Sequence, residues 1–187
     1  MGRPLGKPGD ADFQHLVLQE VFGLLDATEG PVLRDFSETI EDASAQPLSC
    51  QLPPKMNDEQ HAALSEASGL KPAYERALAK TGRTNVGRLV DDASGIPGLL
   101  EGMLRIKDGT SWKDAGLPEN NVLEASKDIM SYYEEVAAEL AGHIPAARAA
   151  ETWFFAETEA GQLLKDVRQK LQDDDVPFGF YVVPMTQ

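Results

Sequence analysis

The chain has 187 residues, with 17 Lys and Arg against 31 Asp and Glu, and a formal net charge of −14 at pH 7. A domain of this length buries enough surface to fold without disulfides or structural metals. The acidic surface repels nucleic acid and anionic membranes, which are polyanions, so the composition argues against both as main partners.

The single cysteine, Cys50, leaves no intrachain disulfide and fits a reducing compartment. Residues 1–10 hold two prolines and three glycines and lack the apolar stretch of a secretory signal. No segment approaches the roughly 20 apolar residues of a membrane span. We therefore predict a cytoplasmic protein with a flexible arm over 1–10, one helical domain over 11–187, and no membrane or nucleic-acid partner.

The first predicted helix covers residues 13–25, and its apolar side chains recur at a spacing of three and four residues. Gly30-Pro31 ends this region, because a proline disfavours helical backbone in the residue before it. A shorter helix is predicted around 33–43. Three prolines and no consistent period then predict a long loop over 45–57.

The middle of the chain predicts several shorter elements. Asp58 is suited to cap a helix over 59–68, and Pro72 to begin a second helix that reaches Lys80. Residues 86–90 fit either a short strand or the start of a helix. A further helix is predicted over 99–106.

The C-terminal half contains the two longest predicted helices, over 122–140 and 146–172. Asn120 or Asn121 is suited to cap the first, and Gly142 to stop it. The aromatic and β-branched run 178–183 has strand character. It must pair with another segment such as 86–90, pair with another chain, or pack as an extended tail. The predicted fold is mainly α, a single-domain irregular helical bundle around helices 13–25, 122–140 and 146–172, with a short C-terminal β-like segment.

Common catalytic signatures are absent from the sequence. The three histidines do not form the repeated Glu-x-x-His pairs of a di-iron bundle. Phosphate-binding loops, dinucleotide glycine patterns and nucleophile elbows are also missing. We therefore predict no metal, no cofactor and no assignable catalytic residue.

The segment Lys71–Arg88 reverses the local charge, because five Lys and Arg residues accompany only Glu75. Its loop, which includes Arg83 and Arg88, supplies backbone amides and hydroxyls that suit an anionic ligand or an acidic partner segment. Alternatively, these cations balance acidic groups elsewhere in the same molecule.

A second candidate site lies in residues 153–161, where helical spacing places Glu157 among apolar residues. A buried Glu157 beside Trp153, Phe154 and Tyr133 would suit acid–base chemistry or amine recognition. Alternatively, Glu157 lies at the edge of the stripe with its carboxylate in water.

Two functions follow from these patterns. The first is a non-catalytic interaction protein, such as an accessory subunit, adaptor or maturation chaperone, that holds a protein partner through a helical groove or the 178–183 segment. That segment would also permit a homo-oligomer. The alternative is a small-molecule-binding protein or enzyme with a pocket around Trp153 and Glu157.

Overall fold

A computed structural model describes residues 10–38, 48, 50–54, 60–142 and 148–184. It confirms the mainly helical fold. The predicted arm over 1–10, apart from Asp10, the cap at Asp58 and most of the predicted loop over 45–57 lie outside the described residues. The described helices are α1 (Ala11–Gly23), α2 (Ala62–Thr81), α3 (Ile96–Lys107), α4 (Val122–Ala141), α5 (Ala149–Glu157) and α6 (Glu159–Asp173).

The chain divides into two compact units. The N-terminal unit comprises Met1–Gln46 and Ala146–Arg148, and the helical unit comprises Pro47–Pro145 and Ala149–Gln187. This division does not test whether residues 11–187 fold as a single domain, which stays a prediction.

Helix α4 lies at the centre of the helical unit and packs against α2, α3, α5 and α6. The Asn121 side chain caps its first turn by accepting from the Glu124 amide at 3.1 Å. Gly142 ends it in the left-handed region at φ 65°, where glycine is favoured. The predicted helix 122–140, its Asn121 cap and its glycine stop are therefore confirmed. The α4 residues in the core include Val122, Ala125, Ile129, Tyr132, Tyr133, Val136 and Ala137.

The prediction of one helix over 146–172 is wrong, because Thr158 breaks it into α5 and α6. Thr158 is extended, and its hydroxyl accepts from the Gly161 amide at 3.0 Å and donates to the Phe154 carbonyl at 2.7 Å. A side chain at position 161 would overlap that carbonyl oxygen. The break thus depends on a capping threonine and a glycine that allows two backbones to meet.

The prediction of two helices over 59–68 and 72–80 is also wrong, because α2 continues through Pro72. The proline removes one helical hydrogen bond and strains the preceding turn. Burial on one face offsets this cost, since Leu70, Ala73 and Tyr74 on either side of it are buried. The imidazole of His61 caps the start of the helix by accepting from the Ala63 amide at 3.2 Å.

The segment 178–183 is not β-like, because Gly179–Val182 forms a 3₁₀ turn that packs against α6. Val182 and Val183 are buried in the core, and the Phe178 ring meets Trp112 edge-on with the ring centroids 5.0 Å apart. The segment therefore buries its apolar side chains without a strand partner, and it presents no edge for the predicted homo-oligomer.

Helix α1 confirms the predicted helix near 13–25 but differs from the other helices in its burial. None of its residues is buried, and the hydrophobic core contains no residue from it. Within the N-terminal unit, the Phe13 ring meets Phe36 with the centroids 5.8 Å apart. The expected contribution of helix 13–25 to a common interior is therefore not observed. The predicted helix around 33–43 is not observed over 33–38 either, and 39–43 lie outside the described residues.

Candidate functional site

Three of the predicted site residues form a buried aromatic cluster in the helical unit. The Tyr133 ring lies 4.9 Å from Phe154 and 6.4 Å from Trp153 between centroids. Helix α4 supplies the tyrosine and α5 the other two side chains. The three rings are almost fully buried, so the cluster belongs to the core.

Glu157, the fourth residue proposed for this site, is exposed at the end of α5. The carboxylate that meets the cluster belongs instead to Glu66 of α2, which is buried. The Tyr133 hydroxyl donates to Glu66 Oε1 at 2.9 Å. The amides of Glu159 and Ala160, at the start of α6, donate to the same carboxylate at 3.1 and 3.3 Å. Glu66 thus links α2, α4 and α6 at one point.

Burial raises the pKa of Glu66 above its ordinary value, although the hydrogen bonds from the α6 amides and Tyr133 oppose the rise. Burial, followed by the nearby Glu66 charge, also raises the pKa of Tyr133 well above its usual range. The phenol therefore stays protonated at neutral pH and acts as a hydrogen-bond donor to Glu66.

Two further polar groups lie in this core. The indole Nε1 of Trp153 is buried and has no hydrogen-bond partner among the described residues. Cys50 is buried, with its Sγ 3.8 Å from the Ala137 carbonyl oxygen. Burial, reinforced by the negative charge of Glu157, raises the pKa of Cys50. A thiol held protonated in this way is a poor nucleophile.

The loop 86–90 is neither a strand nor a helix. The backbone amides of 87–90 donate to the side chain of Asp128 on α4 instead of to backbone carbonyls. The amides of Gly87 and Arg88 both donate to Oδ1 at 3.0 Å. The amides of Arg88, Leu89 and Val90 donate to Oδ2 at 3.1, 2.9 and 3.4 Å. Asp128 is fully buried. Four successive amides form an anion-binding arrangement, of which only Gly87 and Arg88 belong to the segment Lys71–Arg88, and the anion that they surround is a carboxylate of the same chain.

Acidic side chains of α2 and α4 balance most cations of the segment Lys71–Arg88. Glu139 lies 3.5 Å from Arg76 Nε and 3.6 Å from Lys80 Nζ. Arg88 pairs with Glu124 at 3.5 Å, and Lys71 approaches Glu75 at 3.9 Å. These pairs agree with the alternative given from the sequence, in which the cations balance acidic groups of the same molecule.

Arg83 lines a surface cavity of about 460 Å³ between the end of α2 and the C-terminal part of α4. Lys80 lies on the same cavity, but so do the carboxylates of Glu135 and Glu139. The C-terminal end of α2 adds negative potential. The cavity therefore has mixed charge and does not favour a simple anion. The structure places Arg88 away from this cavity, against α4.

An exposed apolar surface that the sequence patterns did not single out lies on α1 and the 3₁₀ turn Leu24–Asp26 that follows it. Phe22 is 61% exposed, Leu25 is 79% exposed and Val21 is 52% exposed. Leu18, on the same side, is half-buried. We call Leu18, Val21, Phe22 and Leu25 the α1 apolar face. The adjacent side of the helix shares Val21 with this face, and it contributes Val17, Val21 and Leu24 to a small cavity of about 110 Å³ shared with residues 34–36.

In the part of the chain that the structure describes, no group of three or more His, Cys, Asp or Glu side chains is placed to hold a metal ion. No described helix combines the length and apolarity required to span a bilayer. Comparisons with protein-family models, curated proteins and solved structures gave no match to this chain. The class that the fold defines is a mainly α-helical protein with an exposed apolar helix near its N-terminus.

Proposed function

We propose that this protein is a non-catalytic interaction protein of the cytoplasm, of the kind that serves as an accessory subunit, adaptor or maturation chaperone. It binds a protein partner through the α1 apolar face. The observation that carries this proposal is the exposure of Phe22 and Leu25 at 61% and 79% on one side of α1 and the 3₁₀ turn that follows it, neither of which has a buried residue.

The energetics of α1 support a role in binding. An isolated helix of 13 residues is marginal in water, and helices gain most of their stability from packing an apolar face. Helix α1 buries none of its residues. Contiguous exposed apolar side chains of this kind mark interaction sites in soluble proteins. A partner that covers the α1 apolar face would supply the missing packing.

The test is the size of the complex that the protein forms in cells that make it naturally. We expect the wild-type chain to elute from size exclusion well above its own mass of 20.3 kDa. Phe22→Asp/Leu25→Asp places two charges on the face, so the complex should be lost. Phe22→Ala/Leu25→Ala, which preserves helix propensity, should give the same result.

Tyr181→Asp is the matched control, because Tyr181 is an aromatic residue of the helical unit with a comparable exposure of 65%. This variant should retain the complex. A wild-type chain that elutes at its own mass, or a complex that both face variants leave intact, would contradict the proposed function.

The second candidate function is a small-molecule-binding protein or enzyme with its site at the Trp153 cluster. The observation that favours it is the buried Trp153 Nε1, which has no partner among the described residues and would suit a ligand acceptor. Native mass spectrometry of gently purified protein would then show an adduct that Trp153→Phe abolishes. Absence of an adduct on the wild-type chain would contradict this candidate.

A further inference from the structure

The α1 apolar face has the spacing of a helix that docks in a groove. Leu18, Val21, Phe22 and Leu25 occupy positions i, i+3, i+4 and i+7, which lie on one side of a helix. Helices that bind apolar grooves present their anchors at these positions. The face is therefore suited to enter a groove in another protein.

The charge around this face indicates what borders the groove. Residues 10–33 contain five Asp or Glu residues and no Lys or Arg, and Arg34, which lines the cavity beside Glu20 and Val21, is followed directly by Asp35. These acidic residues are Asp10, Asp12, Glu20, Asp26 and Glu29. Charged groups around an interface are arranged so that opposite potentials meet, and like charges suppress wrong partners. A groove bordered by Lys and Arg complements this segment.

The same charges disfavour two other occupants. A second copy placed with its α1 apolar face on the first would bring two such acidic segments together. Helices that lie on anionic membranes have Lys and Arg on their polar face, whereas α1 has neither. The charge pattern therefore favours a different, basic protein.

We infer that the α1 apolar face docks as a helix in an apolar groove bordered by basic residues on a different protein. This inference rests on the proposed interaction function. Phe22 and Leu25, the most exposed of the four residues, are the central anchors. The acidic residues of 10–33 accelerate association and select the partner.

The experiment uses the full chain with a photo-crosslinking benzoylphenylalanine in place of Phe22, expressed in cells that make the protein naturally. The same group at Tyr181 is the control, because both side chains are aromatic and similarly exposed. We expect position 22, and not position 181, to crosslink one different protein. That protein is then purified, and its affinity for the wild-type chain is measured across a salt series.

We expect the affinity to fall at least about tenfold between low salt and about 0.5 M salt, because opposite charges attract less as screening increases. Glu20→Gln/Asp26→Asn/Glu29→Gln should weaken binding about tenfold at low salt, mainly through a slower association rate. The matched control is Asp91→Asn/Asp108→Asn/Asp114→Asn, which removes three exposed acidic charges from the helical unit. It should leave the affinity within about twofold.

The outcomes separate this inference from the proposed function. A crosslinked partner whose binding ignores both salt and the charge variant overturns the basic groove but preserves the interaction function. A crosslink only to a second copy, or only within the same chain, also overturns the inference. Flotation of the purified chain with phosphatidylglycerol vesicles, if Phe22→Asp/Leu25→Asp abolished it, would replace the protein partner with a membrane. Absence of any crosslink from position 22 would overturn both the inference and the proposed function.

Discussion

Asp128 is a buried carboxylate whose hydrogen-bond partners among the described residues are all backbone amides. Its two oxygens accept from four successive amides of the loop 87–90. Hydrogen bonds to an ionised acceptor are stronger than neutral ones, and a buried donor without a partner is costly. Asp128 thus holds a loop that has no regular secondary structure of its own.

We expect Asp128→Asn to lower the free energy of unfolding by about 3 kcal/mol, because the amide nitrogen of Asn would face N–H donors in the core. Urea denaturation measures this loss, and hydrogen exchange should show faster exchange of the amides of 87–90. Asp91→Asn, an exposed neighbour, is the control and should change stability by less than about 0.5 kcal/mol. Equal stability of the two variants would contradict the anchoring role.

The pKa of Glu66 sets the sign of a second prediction. Burial raises this pKa above its ordinary value of 4.5, so the folded chain holds a proton at a pH where the unfolded chain has lost it. The resulting stabilisation is complete below 4.5 and is lost as the pH rises through the folded pKa. The stability of wild type relative to Glu66→Gln should therefore increase on acidification from pH 7.

Urea denaturation of both proteins at several pH values measures this difference, and NMR titration of the Glu66 carboxyl carbon locates the folded pKa. Glu157→Gln, at an exposed position, controls for the loss of one carboxylate. If wild type instead lost stability relative to Glu66→Gln as the pH fell from 7, the raised pKa would be contradicted.

The sequence contained a signal for both buried carboxylates that its interpretation applied only to Glu157. Helical spacing places Asp128 between Ala125 and Ile129 on the buried side of α4, and Glu66 beside Ala63 and Ala67 on α2. The same reasoning would have singled out all three acids. Spacing alone does not reveal the partners, because the amides of 87–90 and of α6 are distant in sequence.

The sequence predicts the bounds of a helix most closely where capping residues and apolar period agree. Helix α4 has a one-sided stripe, an asparagine cap and a glycine stop, and its bounds were predicted closely. Helices α5 and α6 share an apolar period across Thr158, so nothing in the period showed the break. The Thr158 hydroxyl ends one helix and caps the next through local hydrogen bonds to the backbone, and the spacing of apolar residues carries no signal of such bonds.

Gly161 in α6 and Gly98 in α3 differ in the space around them, so their alanine variants test the close packing of α5 against α6. Gly161→Ala would place a methyl group on the Phe154 carbonyl, so we expect a loss of about 1–3 kcal/mol in the free energy of unfolding. Gly98→Ala in α3 meets nothing within 4 Å and should instead stabilise the protein by up to about 1 kcal/mol. Thermal and urea denaturation of the pair provide the comparison. A neutral or stabilising Gly161→Ala would contradict the close approach of α5 and α6.

The N-terminal segment and the helical unit differ in how much apolar surface they bury. The described residues 10–38 include no buried side chain, whereas the core draws on α2 to α6 and the C-terminal turn. The composition could not indicate this difference, because residues 13–25 are as apolar as many core helices. Whether such a helix is buried depends on contacts that sequence period does not specify.

We expect a chain that lacks residues 1–46 to melt within a few degrees of the full-length protein, because hydrophobic burial dominates stability. Differential scanning calorimetry of the two proteins measures this. The truncated chain should also lose the complex expected for the full-length protein. A fall in melting temperature of more than about 10 °C would show that residues 1–46 support the fold.

The exposure of the α1 apolar face also bears on how much of this protein a cell can maintain. A copy without its partner displays the kind of surface that chaperones and proteases recognise in damaged proteins. The steady-state amount would then follow the supply of the partner, and surplus copies would be degraded. Pulse-chase labelling should show a shorter half-life when the partner is depleted and no such dependence for Phe22→Asp/Leu25→Asp.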